Sequence, residues 1–239
     1  MRQPDLANQV FDAPRGWEQA MVRAVRTHTE ASSGRLLEIG PGGGELLAEL
    51  ARELPGWRLL GVELSQRNVL IAGERLRSAG LSDRVTLVVA DYVTGPGRGV
   101  FDVIVAQSVL HLITTSDLDL CRRLGNDLSP RGLLVITIPY DCWYNRCVWL
   151  SRRVLRHMPS ALVDRLGEAV GRLVHPALDP ELVRQRLPYL RSVPHRVDSP
   201  AFRSLLRDVS GLGLVEAVTL ARRSPAQPRH RLLVFTKAP

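Results

Sequence analysis

The residues best suited to chemistry lie in a glycine-dense turn at 36–47, which reads Leu-Leu-Glu-Ile-Gly-Pro-Gly-Gly-Gly-Glu-Leu-Leu. An apolar, strand-like run leads into the turn, and a helical pattern follows it directly. Glycine adopts the unusual dihedral angles of such a turn and lets a ligand approach the backbone closely. In an open parallel sheet this turn lies at the carboxyl ends of the strands, where ligands bind. The segment therefore predicts a ligand site.

The same turn departs from two familiar nucleotide-binding patterns. A dinucleotide fingerprint needs Gly-x-Gly-x-x-Gly, and counting from Gly40 puts Glu45 at the last position. That carboxylate would oppose a doubly negative pyrophosphate, and no Gly-Lys-Ser/Thr follows to form a P-loop. With Glu38 at the end of the strand and no cation nearby in the sequence, the turn favours a zwitterionic sulfonium ligand over a phosphate.

Periodicity indicates the elements that must position this turn. Strands are predicted at 35–39, 58–63, 85–90, 101–106 and 132–139, and helices at 17–29, 45–54, 66–79 and 116–128. The apolar runs lack strict alternation and are followed by helices, as a parallel sheet covered on both faces requires. Residues 143–190 then read as two or three helices interrupted at Pro159 and Pro176. A helix at 201–209 and two closing strands at 212–220 and 231–236 complete the pattern.

In order and spacing, residues 35–140 resemble the class I S-adenosylmethionine-dependent methyltransferases. In that family the glycine-rich turn packs against the amino-acid part of the cofactor, and a carboxylate that ends the second strand binds the ribose diol. Glu63, nineteen residues after Gly44, matches that carboxylate. Asp91 matches the residue that accepts from the adenine amine, with Tyr92 beside the ring. The resemblance implies S-adenosylmethionine as cofactor, bound by Glu38, Gly40, Pro41, Gly42, Gly44, Glu63, Leu64, Asp91, Tyr92, Gln107 and Ser108.

Two further segments carry the resemblance. Residues 101–111 are similar to the family's Phe-Asp-x-Val strand that runs into a Leu-His pair, which would place Gln107 and Ser108 near the methyl donor. His111 follows as the histidine best placed to act as a general base, and a purely structural role is its alternative. Residues 128–134 are similar to the family's Leu-x-Pro-Gly-Gly turn, with Arg131 in place of the first glycine. We expect that change to matter little for the cofactor, because this turn lies at the opposite edge of the sheet.

The family's fold implies an α/β, Rossmann-like, doubly wound sheet. We expect seven mostly parallel strands, the last antiparallel, with a helical lid inserted after the fifth strand. The expected division is an N-terminal helical segment at 1–34, a cofactor-binding core at 35–142, a lid at 143–199, and a closing helix with two strands at 200–239.

Aromatic residues cluster directly after the fifth predicted strand. Tyr140, Trp143 and Tyr144 are the candidates for an acceptor pocket wall, because aromatic faces give broad apolar contact in ligand clefts. The alternative is that they form the core of the following helices. Arginines of the predicted lid would attract an acidic or phosphorylated acceptor. Contact of this basic, amphipathic segment with a membrane surface is a further alternative.

Charge and cysteine content narrow the function classes. The net charge is −1 over residues 1–140 and +9 over residues 141–239, so the basic surplus lies in the C-terminal part. The three cysteines form no Cys-x-x-Cys pair, and no acidic cluster indicates a metal site. No apolar run is long enough to span a membrane, and the start lacks the apolar core of a signal peptide. We expect a cytoplasmic protein.

Three functions remain open from the sequence. The first is methylation of a small-molecule acceptor, such as a secondary metabolite, because no nucleic-acid module is recognisable. The second is methylation of RNA or protein guided by the basic C-terminal part. The third is a non-catalytic binding protein that keeps the cofactor fold. The sequence does not specify the methylated atom or the oligomeric state.

Overall fold

A single seven-stranded sheet organises the chain. The computed structural model describes residues 16–95, 99–174, 193–221 and 227–239. The strands are β1 Gly34–Ile39, β2 Trp57–Glu63, β3 Val85–Val89, β4 Phe101–Gln107, β5 Leu128–Pro139, β6 Leu212–Thr219 and β7 His230–Lys237. They lie in the order β3-β2-β1-β4-β5-β7-β6. Strands β1 to β5 pair in parallel, whereas β7 is antiparallel to both β5 and β6.

Helices flank the sheet and connect its strands. They are α1 Trp17–His28, α2 Glu45–Glu53, α3 Gln66–Ser78, α4 Asp117–Asp127, α5 Trp143–His157, α6 Ser160–Val174 and α7 Pro200–Ser210. Serine side chains cap the starts of three of them: Ser65, Ser116 and Ser199 each accept a hydrogen bond from a backbone N–H in the first turn. Gly211, in the left-handed region, ends α7.

Two apolar layers cover the two faces of the sheet. Successive side chains of a strand point to opposite faces, so Leu36 joins the layer that contains α1 and α2. Leu37 and Ile39 join the other layer, which contains α4 and α7. Burial on both faces explains why these strands read as continuous apolar runs.

The fold class predicted from the sequence is confirmed. The sheet has seven strands with an antiparallel end, as expected, and α5 and α6 follow β5 with a break at Pro159. The fifth strand begins at Leu128 rather than at 132, because the Ser129–Arg131 stretch continues the strand. The predicted break at Pro176 and the remainder of the lid up to residue 192 lie outside the described residues.

Nothing in the described helices is both long enough and apolar enough to cross a membrane. Cys121, Cys142 and Cys147 are all free thiols. Burial raises the pKa of Cys121 to about 11, so this thiol stays protonated near neutral pH.

Candidate functional site

The glycine turn between β1 and α2 is held in a conformation that favours glycine. Gly40, Gly42 and Gly44 have φ angles of 66°, 53° and 80°. A Cβ atom at Gly40 would come within 2.7 Å of Val109, and one at Gly44 within 2.8 Å of Ala72. A Cβ atom at Gly42 would meet nothing within 4 Å. Gly40 and Gly44 thus permit close packing of neighbouring side chains, whereas the backbone of Gly42 faces open space.

Glu63 ties the end of β2 to this turn. Its Oε2 atom accepts a hydrogen bond from the Gly42 N–H at 3.0 Å, and Oε1 accepts one from the Ser65 N–H at 3.0 Å. An ionised carboxylate has about four acceptor positions, so two of them are still available on Glu63. Two nearby residues that were also predicted to bind the cofactor differ in exposure. Pro41 is buried against Gly61, whereas Leu64 is exposed.

Glu38 is the most unusual group of the site. The residue is 1% exposed, and among the described residues its Oε2 atom has no hydrogen-bond partner. Burial, and then the negative charges of Glu45, Glu63 and Glu18, raise the pKa of Glu38 well above its ordinary value. A buried carboxyl group without a partner is costly, so the site calls for a cation or donor beside it.

One residue of the site was missed by sequence reasoning, and it corrects an expectation. Arg75 of α3 donates a hydrogen bond to the Gly43 carbonyl at 2.7 Å and forms an ion pair with Glu45. The turn therefore does have a cation nearby, supplied by a residue about thirty positions away. Because Arg75 neutralises Glu45, that carboxylate opposes a phosphate ligand less strongly than the sequence indicated. No local sequence signal points to Arg75.

The end of β4 brings further polar groups to the same edge. Gln107 has a buried Nε2 donor without a partner among the described residues. Ser108 has a φ angle of 53°, which is strained for a residue other than glycine. Its N–H donates to Thr137 Oγ1 at 2.9 Å and lies 3.1 Å from the Thr137 carbonyl, so β5 holds it there. Such strained positions concentrate at functional sites.

Asp91 and Tyr92 follow β3 in different environments. Asp91 Oδ1 accepts from the Val93 N–H at 2.8 Å and the Thr94 N–H at 3.3 Å, which caps a turn. Tyr92 is buried in the core, with the Arg123 guanidinium 5.4 Å from its ring centre. Its ring is thus largely covered by protein, and the expected contact with adenine stays a prediction.

His111 lies beyond β4 in a short 3-10 turn at Leu110–Leu112. It is 3% exposed, and its Nδ1 atom has no hydrogen-bond partner in the described part of the chain. Burial, then His230 and Arg152, hold the pKa of His111 well below its ordinary value, so the ring is neutral at pH 7. Its role as a general base stays a prediction.

A returning segment secures this turn. Arg196, which is buried, donates hydrogen bonds to the carbonyls of Leu110, Ile113 and Thr115 and pairs with Asp117. These contacts hold the segment at 193–199 against the turn after β4.

The predicted acceptor residues are only partly brought together. Tyr140 and Tyr144 lie beneath the guanidinium groups of Arg231 and Arg229, at 4.2 and 5.0 Å from the ring centres. Trp143 is 70% exposed and meets Tyr144 edge-on. Their role in binding an acceptor stays a prediction. The described residues contain no group of three or more His, Cys, Asp or Glu side chains that could hold a metal ion.

Comparison with known proteins agrees with this geometry. A family described as "Methyltransferase domain" matches residues 37–134. The chain is 33% identical over 164 residues to "Methyltransferase GfsG" from Streptomyces halstedii, which covers 62% of this chain and 58% of that protein. It is 32% identical over 122 residues to "Ubiquinone biosynthesis O-methyltransferase" from Caulobacter sp. (strain K31), covering 50% and 47%.

A solved structure resembles almost the whole chain. N-methyltransferase NodS from Bradyrhizobium japonicum WM9, in complex with S-adenosyl-L-homocysteine, superimposes with a TM-score of 0.61 at 18% identity. The match covers 98% of this chain and 94% of that structure, and it establishes the fold. A third relative is a "Probable fatty acid methyltransferase" from Pseudomonas putida, which is 31% identical over 42% of this chain. The chain spans only 25% to 58% of the length of these three curated relatives. The match at residues 37–134 and the shared fold support the resemblance to the class I S-adenosylmethionine-dependent methyltransferases that the glycine turn indicates.

Proposed function

We propose that the chain binds S-adenosylmethionine and transfers its methyl group to a small-molecule acceptor. The observation that carries the proposal is the buried carboxyl of Glu38 inside the glycine turn, which lacks a partner among the described residues. The amino-acid part of S-adenosylmethionine carries an ammonium group and a sulfonium, and either cation would offset the cost of burying this carboxyl. A phosphate ligand would instead add negative charge beside Glu38 and Glu63, neither of which forms an ion pair with a cation among the described residues.

The remaining groups of the site fit the other parts of the same molecule. The Gln107 Nε2 donor suits the cofactor carboxylate, since an unpartnered buried donor requires an acceptor. The unused acceptor positions of Glu63 suit the two ribose hydroxyls. Gly42 leaves room for the ligand to approach the backbone.

When bound, S-adenosylmethionine supplies an electrophilic methyl group. What the chain's residues contribute is position: Glu38, Glu63 and Gln107 fix the donor end, and α5 and α6 act as a lid that orients the acceptor. Orientation alone lowers a barrier by up to about 7–11 kcal/mol in ideal cases.

A small-molecule acceptor is favoured over a nucleic acid by how the basic C-terminal part is used. Several of its arginines bind carboxylates of the same chain, with Asp198 alone pairing with Arg203 and Arg231. Arginines that are held by carboxylates of the same chain are less available for contacts with phosphate groups. A non-catalytic binding protein is the remaining alternative, and formation of S-adenosylhomocysteine with any acceptor would eliminate it.

Isothermal titration calorimetry tests the cofactor assignment. S-adenosylhomocysteine, the spent form of the donor, is the probe, and NAD⁺ is the comparison ligand because a Rossmann-like sheet also suits dinucleotides. We expect binding of S-adenosylhomocysteine and no binding of NAD⁺. The opposite preference, or no heat with S-adenosylhomocysteine, contradicts the proposal.

A further inference from the structure

Two buried histidines meet at the carboxyl edge of the sheet, outside the cofactor contacts described above. His230, at the start of β7, is 2% exposed, and its ring centre lies 5.7 Å from that of His111 in an edge-on arrangement. Trp17 of α1 also contacts His230, with ring centres 5.0 Å apart. No sequence pattern singles out His230, because only the fold brings the start of β7 beside the turn after β4.

The hydrogen bond of His230 fixes its tautomer. Its Nδ1 atom lies 2.9 Å from the Pro228 carbonyl oxygen, and a carbonyl oxygen only accepts, so Nδ1 must carry the hydrogen. Burial, together with the nearby Arg152 and against the opposing hydrogen bond to Pro228, lowers the pKa of His230 to about 4, so the ring is neutral at pH 7. A neutral imidazole with hydrogen on Nδ1 has a lone pair on Nε2. Within the described residues, that buried Nε2 atom has no partner.

His230 faces the same side of the sheet as the cofactor contacts. Side-chain alternation places it with Leu232 and Val234, in the layer that also contains Leu36 and Trp17. Glu38, two residues after Leu36, and Gln107, two residues after Val105 of that layer, face the same side. In the sheet, Gln107 of β4 lies opposite Thr137 of β5, and Thr137 lies opposite Leu232 of β7. Two strand spacings, about 10 Å, therefore separate β4 from β7.

The charged and aromatic side chains around His230 determine which chemical group could donate a hydrogen bond to the lone pair on its Nε2 atom. Arg152 of α5 is buried close enough to lower the pKa of both histidines, and Arg196 also lowers that of His111. These positive charges disfavour an ammonium group. A neutral hydroxyl is a donor without that penalty, and the rings of Trp17 and His111 provide a flat, apolar boundary beside it.

We propose that His230 Nε2 accepts a hydrogen bond from a hydroxyl group of the methyl acceptor, in a subsite formed with His111 and Trp17. This inference rests on the proposed function and narrows the acceptor to an uncharged molecule with a hydroxyl on a flat, apolar body. A hydroxyl held in this way has its oxygen lone pairs directed away from His230, so the hydrogen bond orients the acceptor molecule in the subsite.

Nitrogen NMR of the ¹⁵N-histidine-labelled full chain tests the subsite directly. Phenol is the probe, and anisole, which has the same shape without the O–H, is its matched control. We expect the free protein at pH 7 to show His230 with a bare Nε2, and we expect phenol, but not anisole, to shift that resonance. A protonated Nε2, equal shifts with both probes, or no shift with phenol overturns the inference.

Two variants separate the hydrogen bond from a structural role of the ring. In His230→Asn an amide N–H remains near the place of Nδ1 and Nε2 is lost, whereas in His230→Gln an amide oxygen that accepts reaches the place of Nε2. His230→Asn should weaken phenol binding about fivefold, as expected for one lost hydrogen bond, while His230→Gln should recover part of it. Equal affinities in all three proteins overturn the inference. Absence of S-adenosylhomocysteine binding in the wild type, with the phenol shift intact, would instead count against the proposed function alone.

Discussion

Glu38 and Glu63 are two buried carboxyl groups at the same edge of the sheet, and their surroundings set them apart. Glu63 accepts hydrogen bonds from two backbone N–H groups, so both of its oxygen atoms have partners. Glu38 lacks a partner for Oε2 in the described part of the chain, and burial raises its pKa. Without ligand, Glu38 therefore destabilises the folded chain, which is typical of residues kept for binding.

This difference predicts a pH effect on stability. Because the pKa of Glu38 is raised in the folded chain, the folded state binds its proton more tightly than the unfolded state does. This tighter proton binding stabilises the folded chain at pH values below about 4.3, the pKa of Glu38 in the unfolded chain. The stabilisation is lost as pH rises toward the pKa of Glu38 in the folded chain. Glu38→Gln removes this titration. Relative to the wild type, the variant should gain free energy of unfolding as pH rises from about 4.3, measured by urea denaturation of the unliganded protein.

A matched control uses an exposed glutamate. Glu74 of α3 is largely exposed and pairs with Arg77, so Glu74→Gln changes the same charge without a burial effect. We expect Glu74→Gln to follow the wild-type pH dependence. If Glu38→Gln and Glu74→Gln behave alike, the burial effect assigned to Glu38 is wrong.

Some residues of the candidate site could be found from the sequence and others could not. Glu38, Glu63 and the glycines share one contiguous pattern or a fixed spacing, so the amino-acid pattern alone indicates them. Arg75 and His230 are brought to the edge by packing of distant segments, which no local pattern encodes. The contact of Tyr92 with adenine, which the family resemblance implies, stays a prediction, and the structure adds that its ring is buried beside Arg123.

At the scale of elements, the turn between β1 and α2 offers a test with an internal reference. Gly42 and Gly80 have φ angles of 53° and 68°, and a Cβ atom at either would meet nothing within 4 Å. Gly42 lies at the candidate site, whereas Gly80 follows α3 at the opposite end of the strands. Gly42→Ala and Gly80→Ala should each cost about 1–2 kcal/mol of stability, from the left-handed backbone alone.

Ligand binding should separate these two variants. We expect Gly42→Ala to weaken S-adenosylhomocysteine binding at least about tenfold, because a methyl group there occupies space needed by the ligand and a tenfold change is only about 1.4 kcal/mol. Gly80→Ala should bind as the wild type does, by calorimetry. Equal affinities would place the ligand elsewhere.

The turn that leads into the parallel part of β5 carries backbone strain of its own. Arg131 has a φ angle of 61°, and the family resemblance places glycine at this position. The sequence identified the departure but not its cost, since φ is not visible in a single sequence. Arg131→Gly should raise the free energy of unfolding by up to about 1 kcal/mol, after the added chain entropy of glycine is subtracted.

Urea denaturation measures that gain, with Arg131→Ala as control. Alanine removes the charge and keeps the Cβ atom, so it should bring no comparable gain. A stabilisation of equal size in both variants would attribute the effect to charge rather than to the backbone.

At the scale of the whole molecule, the fold followed from the sequence because apolar periodicity and strand order are repeated signals. The two faces of the sheet are covered as the uninterrupted apolar strands required. The acceptor side followed less well, since it depends on how α5, the segment at 193–199 and the start of β7 meet. Those contacts join residues far apart in the chain, such as Arg196 with the carbonyl of Leu110.

The whole-molecule charge leads to a prediction about nucleic acid. The net charge of +9 over residues 141–239 invites an RNA substrate, although Arg146, Arg203 and Arg207 of this part are each held by a carboxylate of the same chain. We expect fluorescence anisotropy with polyuridylate to show weak binding with a shallow dependence on salt. Tight binding whose logarithm falls steeply with the logarithm of salt concentration would indicate several phosphate contacts and favour the RNA alternative.

The central claim is that the glycine turn and Glu63 together hold S-adenosylmethionine. Calorimetry with S-adenosylhomocysteine on wild type, Glu63→Gln and Glu63→Ala tests it most directly, with thermal unfolding to verify that each variant is folded. We expect Glu63→Ala to weaken binding about tenfold or more, through loss of charge-assisted hydrogen bonds to the ribose, and Glu63→Gln to lie between. A dissociation constant that is the same in all three proteins would contradict the claim.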